Sequence, residues 1–350
     1  MKILISSDGP HAHWFIRLSV AKAFQACGHK VAMWDINSKP VYDVFDEFQP
    51  DLFIGQTYNL TPHLINCLVE RPYIKVIMKG SDWGEKQKEI DLKKYPVVVA
   101  KDEEIKLVEI LRKQIGKPDF ISCHYHPNRI QSTHGYWTEK LGIPIVGLMS
   151  GADIFTFHGG QKRDEFVSDI AFVGGYWEYK SQTLNKWLLP LCNPDKIYKI
   201  RIFGNSGWPC PQYCGIIQDE VIADVLASAT ICPNISEPHS QDFGYDIIER
   251  PWKLLSNKCF CISDYVDSMA KDVFTNDEIV FANNPKEFEE LVQHFIKYPN
   301  ERIPYIERGY KTVMDNHTYF SRIQTIFDNL HMLKESISAQ VTYQKIRENL

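Results

Sequence analysis

Short apolar runs alternating with helix-spaced stretches govern what this chain can fold into. Residues 2–7 read as a strand and Asp8-Gly9-Pro10 as a turn. Residues 14–27 carry apolar side chains at helical spacing, at Phe15, Leu18, Ala21 and Ala26, before Gly28 stops them. Residues 31–35 form a second predicted strand. The unit then recurs, with strands at 51–58, 73–79, 97–100, 120–123 and 143–148 and helices at 61–69, 103–115 and 130–141. A strand that returns to its sheet through a helix lies parallel to its neighbour, so this order predicts a mostly parallel sheet covered on both faces. The first turn lacks G-x-G-x-x-G, and a dinucleotide cofactor is not indicated.

The rhythm breaks between 150 and 168, at Gly151, Gly159, Gly160 and the charged run Lys162-Arg163-Asp164-Glu165. A second α/β series follows. Its strands are predicted at 170–173, 199–203, 230–232, 259–263 and 279–281, and its helices at 183–192, 219–227, 285–298, 301–315 and 319–338. The 350 residues are enough for two domains. The expected division is 1–155, 168–330 and a helical tail over 331–350. The expected class is α/β, with two Rossmann-like domains whose strand ends face a central cleft, where open parallel sheets bind ligands. Glycine turns stand at those strand ends, at Gly9, Gly174-Gly175, Gly204 and Gly244.

Charge narrows the function classes. Residues 1–160 hold 19 Lys and Arg against 18 Asp and Glu, a net of +1, and the remainder holds 20 against 26, a net of −6. Neither half has the basic excess that non-specific nucleic-acid binding draws on. No run approaches the roughly 18 apolar residues that cross a bilayer. The first residues read as a strand and not as a signal peptide. Nine cysteines, an odd number in a chain of this size, read as reduced thiols and a cytoplasmic protein.

The segment 242–265 reads as a loop, a short charged helix, a turn and a buried strand. Arg250 and Lys253 are three apart and share a helix face, near a helix start whose free N–H groups also favour anions. Two cations in that setting point to a diphosphate site, with a capped surface helix as the other reading. Gly174-Gly175-Tyr176 offers backbone N–H groups to the same anion, or is a plain strand-to-helix turn. Trp208 and Tyr213 either stack on a base or belong to the core. Cys123-His124-Tyr125-His126 and Cys210-x3-Cys214 have no fixed set of further ligands, so no metal site is expected.

Residues Asp169-Ile-Ala-Phe-Val-Gly-Gly-Tyr176, Ile200-Arg-Ile-Phe-Gly-Asn205, Cys214-Gly-Ile-Ile217 and Arg250-Pro-Trp-Lys-Leu-Leu-Ser-Asn-Lys-Cys-Phe-Cys-Ile-Ser-Asp264 occur in that order and spacing. The run resembles the donor domain of GT-B glycosyltransferases, particularly the spore-maturation glycosyltransferase-like proteins and the phage DNA β-glucosyltransferases. The resemblance covers about residues 168–330 and, more weakly, 1–105. It implies transfer of a hexose or pentose from a nucleoside-diphosphate sugar to an acceptor hydroxyl. No cofactor is then required beyond that co-substrate. The second domain holds the nucleotide, the first holds an acceptor (glycan, small molecule, protein or modified DNA base), and the C-terminal helices have the option of crossing back to the first domain. A DNA hydroxymethyl-base glycosyltransferase and a non-catalytic nucleotide-sugar-binding relative are the alternatives.

By the same resemblance Arg250 is the diphosphate-contacting arginine, and its planar fork suits phosphate oxygens. Lys253 stands where the family has a glutamate that accepts from ribose hydroxyls, which a lysine cannot do. Glu178 and Gln182 replace arginines of the DNA enzymes, leaving Lys180 as the nearby cation. Asp82 falls on the catalytic carboxylate and is the candidate base, or the centre of an Asx-turn. Gly9, His11 and His13 belong to a loop expected to meet donor or acceptor. Gly204 marks the turn after the next strand. Asp242, Gly244 and Tyr245 lie in a polar loop that meets the donor sugar. Asn257 fills a turn where the family often has Gly, and is expected to carry the left-handed conformation there.

Overall fold

In the computed structural model the described residues are 1–9, 12–80 and 102–350, with the side chains of 12, 13 and 102 excepted. They divide into two compact units, Met1–Met149 with Tyr319–Leu350, and Ser150–Thr318.

Unit 1 is built on strands β1 (Lys2–Ser7), β2 (Lys30–Asp35), β3 (Leu52–Gln56), β4 (Lys75–Lys79), β5 (Phe120–Cys123) and β6 (Ile145–Gly147). All pairings are parallel, in the order β2-β1-β3-β4-β5-β6, with Ile3 opposite both Val31 and Leu52. Its first helices are α1 (Ala12–Ala26), α2 (Val41–Phe48), α3 (Pro62–Val69), α4 (Asp102–Ile115), α5 (Pro127–His134) and α6 (Tyr136–Leu141). The strands are short and apolar on both faces because helices cover both sides. Phe45, Phe53, Met78, Ile121 and Trp137 are buried in one cluster, each contributing about 1.5–3 kcal/mol by leaving water. The expected strand at 97–100 lies outside the described residues, and β4 pairs directly with β5.

Unit 2 carries β7 (Ser168–Val173), β8 (Ile200–Phe203), β9 (Ala229–Asn234), β10 (Cys261–Asp264) and β11 (Val280–Ala282). They are parallel in the order β11-β10-β9-β7-β8. Its helices are α7 (Glu178–Trp187), α8 (Asp219–Ala227), α9 (Pro238–Phe243), α10 (Arg250–Ser256), α11 (Pro285–Lys297) and α12 (Ile303–Asn316). The two ends of the unit meet in a parallel bridge between Ala152 and Thr318, where the Ala152 N–H donates to His317 O at 2.8 Å. The chain then crosses back to unit 1 as α13 (Tyr319–Asn329) and α14 (Leu333–Arg347). Phe327 packs edge-on against Phe24 of α1 at 5.6 Å, and Arg322 Nε donates to Met149 O at 2.9 Å.

Several local expectations shift. The helix expected over 183–192 starts at Glu178 and ends at Trp187, with Pro190 inside a separate 3-10 turn. The expected 319–338 helix is two, broken where His331 takes a φ of 57°. The polar loop at 236–245 contains α9, opened by Pro238. Asn257 does not carry the left-handed turn: its φ is −95°, and Lys258 carries it at 54°. The Asn257 side chain is committed elsewhere, accepting from Gly160 N–H at 2.9 Å and donating to Ala223 O at 2.7 Å.

In each sheet the strand order reverses beside the first strand. In unit 2 this switch point lies between β7 and β9, and open α/β sheets bind ligands outside the strand ends at such points.

Candidate functional site

Arg250, the first residue of α10, spans that switch point. Its guanidinium lies 4.3 Å from the ring centroid of Phe172 in β7, and Nη1 donates to Ile235 O, just past β9, at 3.1 Å. Gly174 follows β7, and a side chain there would bring Cβ within 2.9 Å of Arg250 Nη2. The cation is thus fixed by an aromatic face and a carbonyl, with the cation–π contact contributing about 0.5–2 kcal/mol. Burial lowers its pKa to about 10, partly offset by Glu237, and it stays charged at neutral pH.

Lys180, from the first turn of α7, joins it. Its side chain is 12% exposed, and Nζ lies 4.0 Å from Glu237 Oε1. Desolvation, and then the like charge of Arg250, lower its pKa to about 8; Glu237 opposes this and Lys253 adds to it. Lys253 sits one turn along α10. It pairs with Glu249 at 2.6 Å and covers the Phe157 ring at 4.5 Å. Lys180, distant in sequence, therefore converges with Arg250 and Lys253 and with Glu237 and Glu249. The hydrogen-bond acceptor that Lys253 lacks stands one helical turn away on Glu249.

The glycine turns are packed against one another. A Cβ on Gly204 would fall 2.1 Å from Gly174 O, a backbone atom that cannot give way, so the β8 turn must be glycine. Much of the turn's backbone is already engaged: Gly174 N–H donates to Phe203 O at 2.8 Å, Gly204 N–H to Gly215 O at 3.1 Å and Tyr176 N–H to Ser206 Oγ at 2.6 Å. Tyr176 O–H donates to Asn185 Oδ1 at 2.8 Å. Trp208 is buried and donates from Nε1 to Gly174 O at 3.2 Å, while Tyr213 O–H donates to Gly204 O at 2.8 Å. Both aromatics brace the glycine turn from the core side.

The loop after β9 is anchored by Asp264, fully buried at the end of β10. Its Oδ1 accepts from Ser236 N–H and Ser236 O–H, each at 3.0 Å, and its Oδ2 accepts from Gln241 Nε2 at 2.7 Å. Burial pushes its pKa up to about 6, although the hydrogen bonds from Gln241 and Ser236 pull the other way. Gly244 caps α9 with a φ of 72°, lies against Asp267, and accepts from Ser268 N–H at 2.8 Å. Asp242 is exposed just before it and Tyr245 is half-buried just after.

In unit 1, Gly9 takes a φ of 120°, which only glycine adopts without strain, at the switch-point end of β1. His11 and Asp82 lie outside the described residues, as does the side chain of His13. Among the described residues no group of three or more His, Cys, Asp or Glu could hold a metal ion, and all nine cysteines are free. Helix-face spacing singled out Arg250 and Lys253 in the sequence, and the family resemblance singled out Lys180. Glu237, Asp264 and the exposed Trp177 were missed, for want of any local pattern that marks them.

Residues 182–328 match the profile of the glycosyl transferase-like family, a stretch that begins within α7 and ends within α13. Similar solved structures include the T4 phage β-glucosyltransferase with UDP and Mn2+, at 14% identity and a TM-score of 0.56, covering 96% of this chain and 99% of that one. The chain has the GT-B glycosyltransferase fold. Two other structures of this GT-B shape align over similar lengths. One is an α-glucosyltransferase with UDP and a 13-mer DNA containing an HMU base, at 12% identity, TM-score 0.63 and coverage of 95% and 99%. The other is sucrose-phosphate synthase from Thermosynechococcus elongatus, at 9% identity, TM-score 0.63 and coverage of 95% and 99%. Comparison with curated protein sequences gives no match. No helix among the described residues is long and apolar enough to cross a membrane.

Proposed function

We propose that this chain is a glycosyltransferase that moves a sugar from a nucleoside-diphosphate sugar to an acceptor hydroxyl, with Lys180, Arg250 and Lys253 holding the diphosphate. The observation that carries this reading is Arg250 spanning the switch point of unit 2, with Lys180 drawn in beside it. The three cations converge against the carboxylates Glu237, Glu249 and Asp264, and a diphosphate is the ligand chemistry that convergent cations suit. The UDP and UDP-glucose present in structures of the same fold agree with that ligand class.

Unit 2 is then the donor side and unit 1 the acceptor side. The acceptor oxygen bonds to the anomeric carbon as the bond from that carbon to the diphosphate breaks. The acceptor proton leaves to a base, and negative charge grows on the departing phosphate. Fixed cations that need no reorganisation stabilise that charge. Asp82 is the proposed base. Asp82→Asn is expected to cut transfer by about 10²–10⁴-fold while leaving diphosphate binding intact.

A thermal-shift panel of UDP, ADP, GDP and dTDP with their glucose conjugates tests the donor site. At least one diphosphate should raise the Tm of the wild type, and Arg250→Ala should weaken its binding by about 10–100-fold, the worth of a charge-assisted hydrogen-bond pair. No stabilisation by any of them refutes the reading. Slow donor hydrolysis, run with and without EDTA, separates an enzyme from a protein that only binds, and reads out any metal requirement.

A further inference from the structure

We propose that Trp177 and Glu237 form a carbohydrate subsite beside the cation cluster, one that takes a neutral sugar ring and disfavours an acidic one; this rests on the donor-site reading above. Trp177 stands at the start of α7, three residues before Lys180, and is 48% exposed. Its ring lies 5.3 Å from that of Tyr179 at an interplanar angle of 39°. Tyr179 stacks in turn on His239, at 5.9 Å and 15°.

That underlying pair is locked. Tyr179 Oη lies 2.8 Å from His239 Nδ1 and accepts from the His239 backbone N–H at 3.1 Å, and His239 Nε2 lies 3.0 Å from Asp246 Oδ2. With a neutral imidazole one proton arrangement satisfies all three contacts: the Tyr179 hydroxyl donates to Nδ1 and Nε2–H donates to Asp246. A rigid indole on a fixed support, half open to solvent, presents a flat apolar face at little entropic cost. The C–H faces of a pyranose fit such a surface.

Glu237 supplies the polar half. Its oxygens lie 4.0 Å from Lys180 Nζ, close enough for attraction but beyond hydrogen-bond length, and 3.9 Å from His239 Nδ1. The carboxylate is three-quarters buried and receives no hydrogen bond from the described residues. A carboxylate only accepts, and ionised phosphate oxygens have no proton to offer it, whereas sugar hydroxyls do. Trp177, three residues before Lys180, and Glu237, 4.0 Å from its Nζ, both border that cation, so a sugar attached to a diphosphate at Lys180 has both chemistries beside it. A uronic acid would bring a second carboxylate towards Glu237 and be repelled.

Calorimetric titration of UDP, UDP-glucose and UDP-glucuronate into the wild type, Trp177→Ala and Glu237→Gln tests this. The wild type should bind UDP-glucose about tenfold tighter than UDP-glucuronate. Trp177→Ala should weaken UDP-glucose by roughly five- to tenfold while holding UDP within about twofold; Glu237→Gln should weaken UDP-glucose relative to UDP by a similar factor and narrow the gap between the two sugars. Equal effects on UDP and UDP-glucose overturn the proposal, and an equal tightening of both in Glu237→Gln makes Glu237 a mere counterion of Lys180. UDP-glucuronate binding the wild type as tightly as UDP-glucose overturns it as well. If UDP itself does not bind the wild type, the donor-site reading fails for uridine donors and takes this inference with it.

Discussion

Lys180 is charged at neutral pH but held near 8, below its ordinary 10.5, by desolvation and the neighbouring Arg250. Because the folded value is the lower one, folding penalises the charged form. That penalty is full below about pH 8 and disappears as pH rises towards the unfolded value. A bound diphosphate would restore the favoured charge and raise the value again. Binding between about pH 8 and 10 should therefore take up a proton, and affinity should fall as pH rises through that window. Titrations at pH 8.5 in buffers of different ionisation enthalpy measure the uptake, and Lys180→Arg should abolish it while still binding. At this scale the sequence exposes residue type but not convergence. Arg250 and Lys253 stand out by helical spacing, whereas Glu237 has nothing local to distinguish it from any surface carboxylate. Trp208 and Trp177 are equally prominent in the sequence. Trp208 is the buried one, packed on Phe172 and Tyr176 with its Nε1 donating to the Gly174 carbonyl.

Elements were more legible because periodicity reports burial directly. Every strand of unit 2 falls within two or three residues of its apolar run, and parallel strands covered on both faces leave little freedom in that reading. What periodicity missed were backbone events. One is the break at His331, where nothing in the apolar spacing marks a left-handed residue, and another is the short α9 inside a polar stretch. The glycine turns after β7 and β8 act as a single device, since each is shaped by the other. Gly204→Ala should force the turns apart and cost about 1–3 kcal/mol in urea unfolding. It should also lower diphosphate affinity, because Gly174 borders Arg250. Gly207→Ala, with open space around its Cβ, is the control and should change neither.

The whole molecule is threaded out and back. Phe327, fully buried on α13, packs on Phe24 and His29, so residues made after unit 2 complete the core of a unit begun before it. Phe327→Ala should destabilise unit 1 by about 3–5 kcal/mol, whereas Ile337→Ala, on a half-exposed position of α14, should stay within about 0.5 kcal/mol; urea unfolding compares them. The bridge between Ala152 and Thr318 ties together the two ends of unit 2. On the ribosome, then, residues 150–318 have emerged and can close on themselves while the earlier 149 residues still wait for α13 and α14. Of the two units, the one begun first is finished second, and for that interval a chaperone would find its uncovered α1 face.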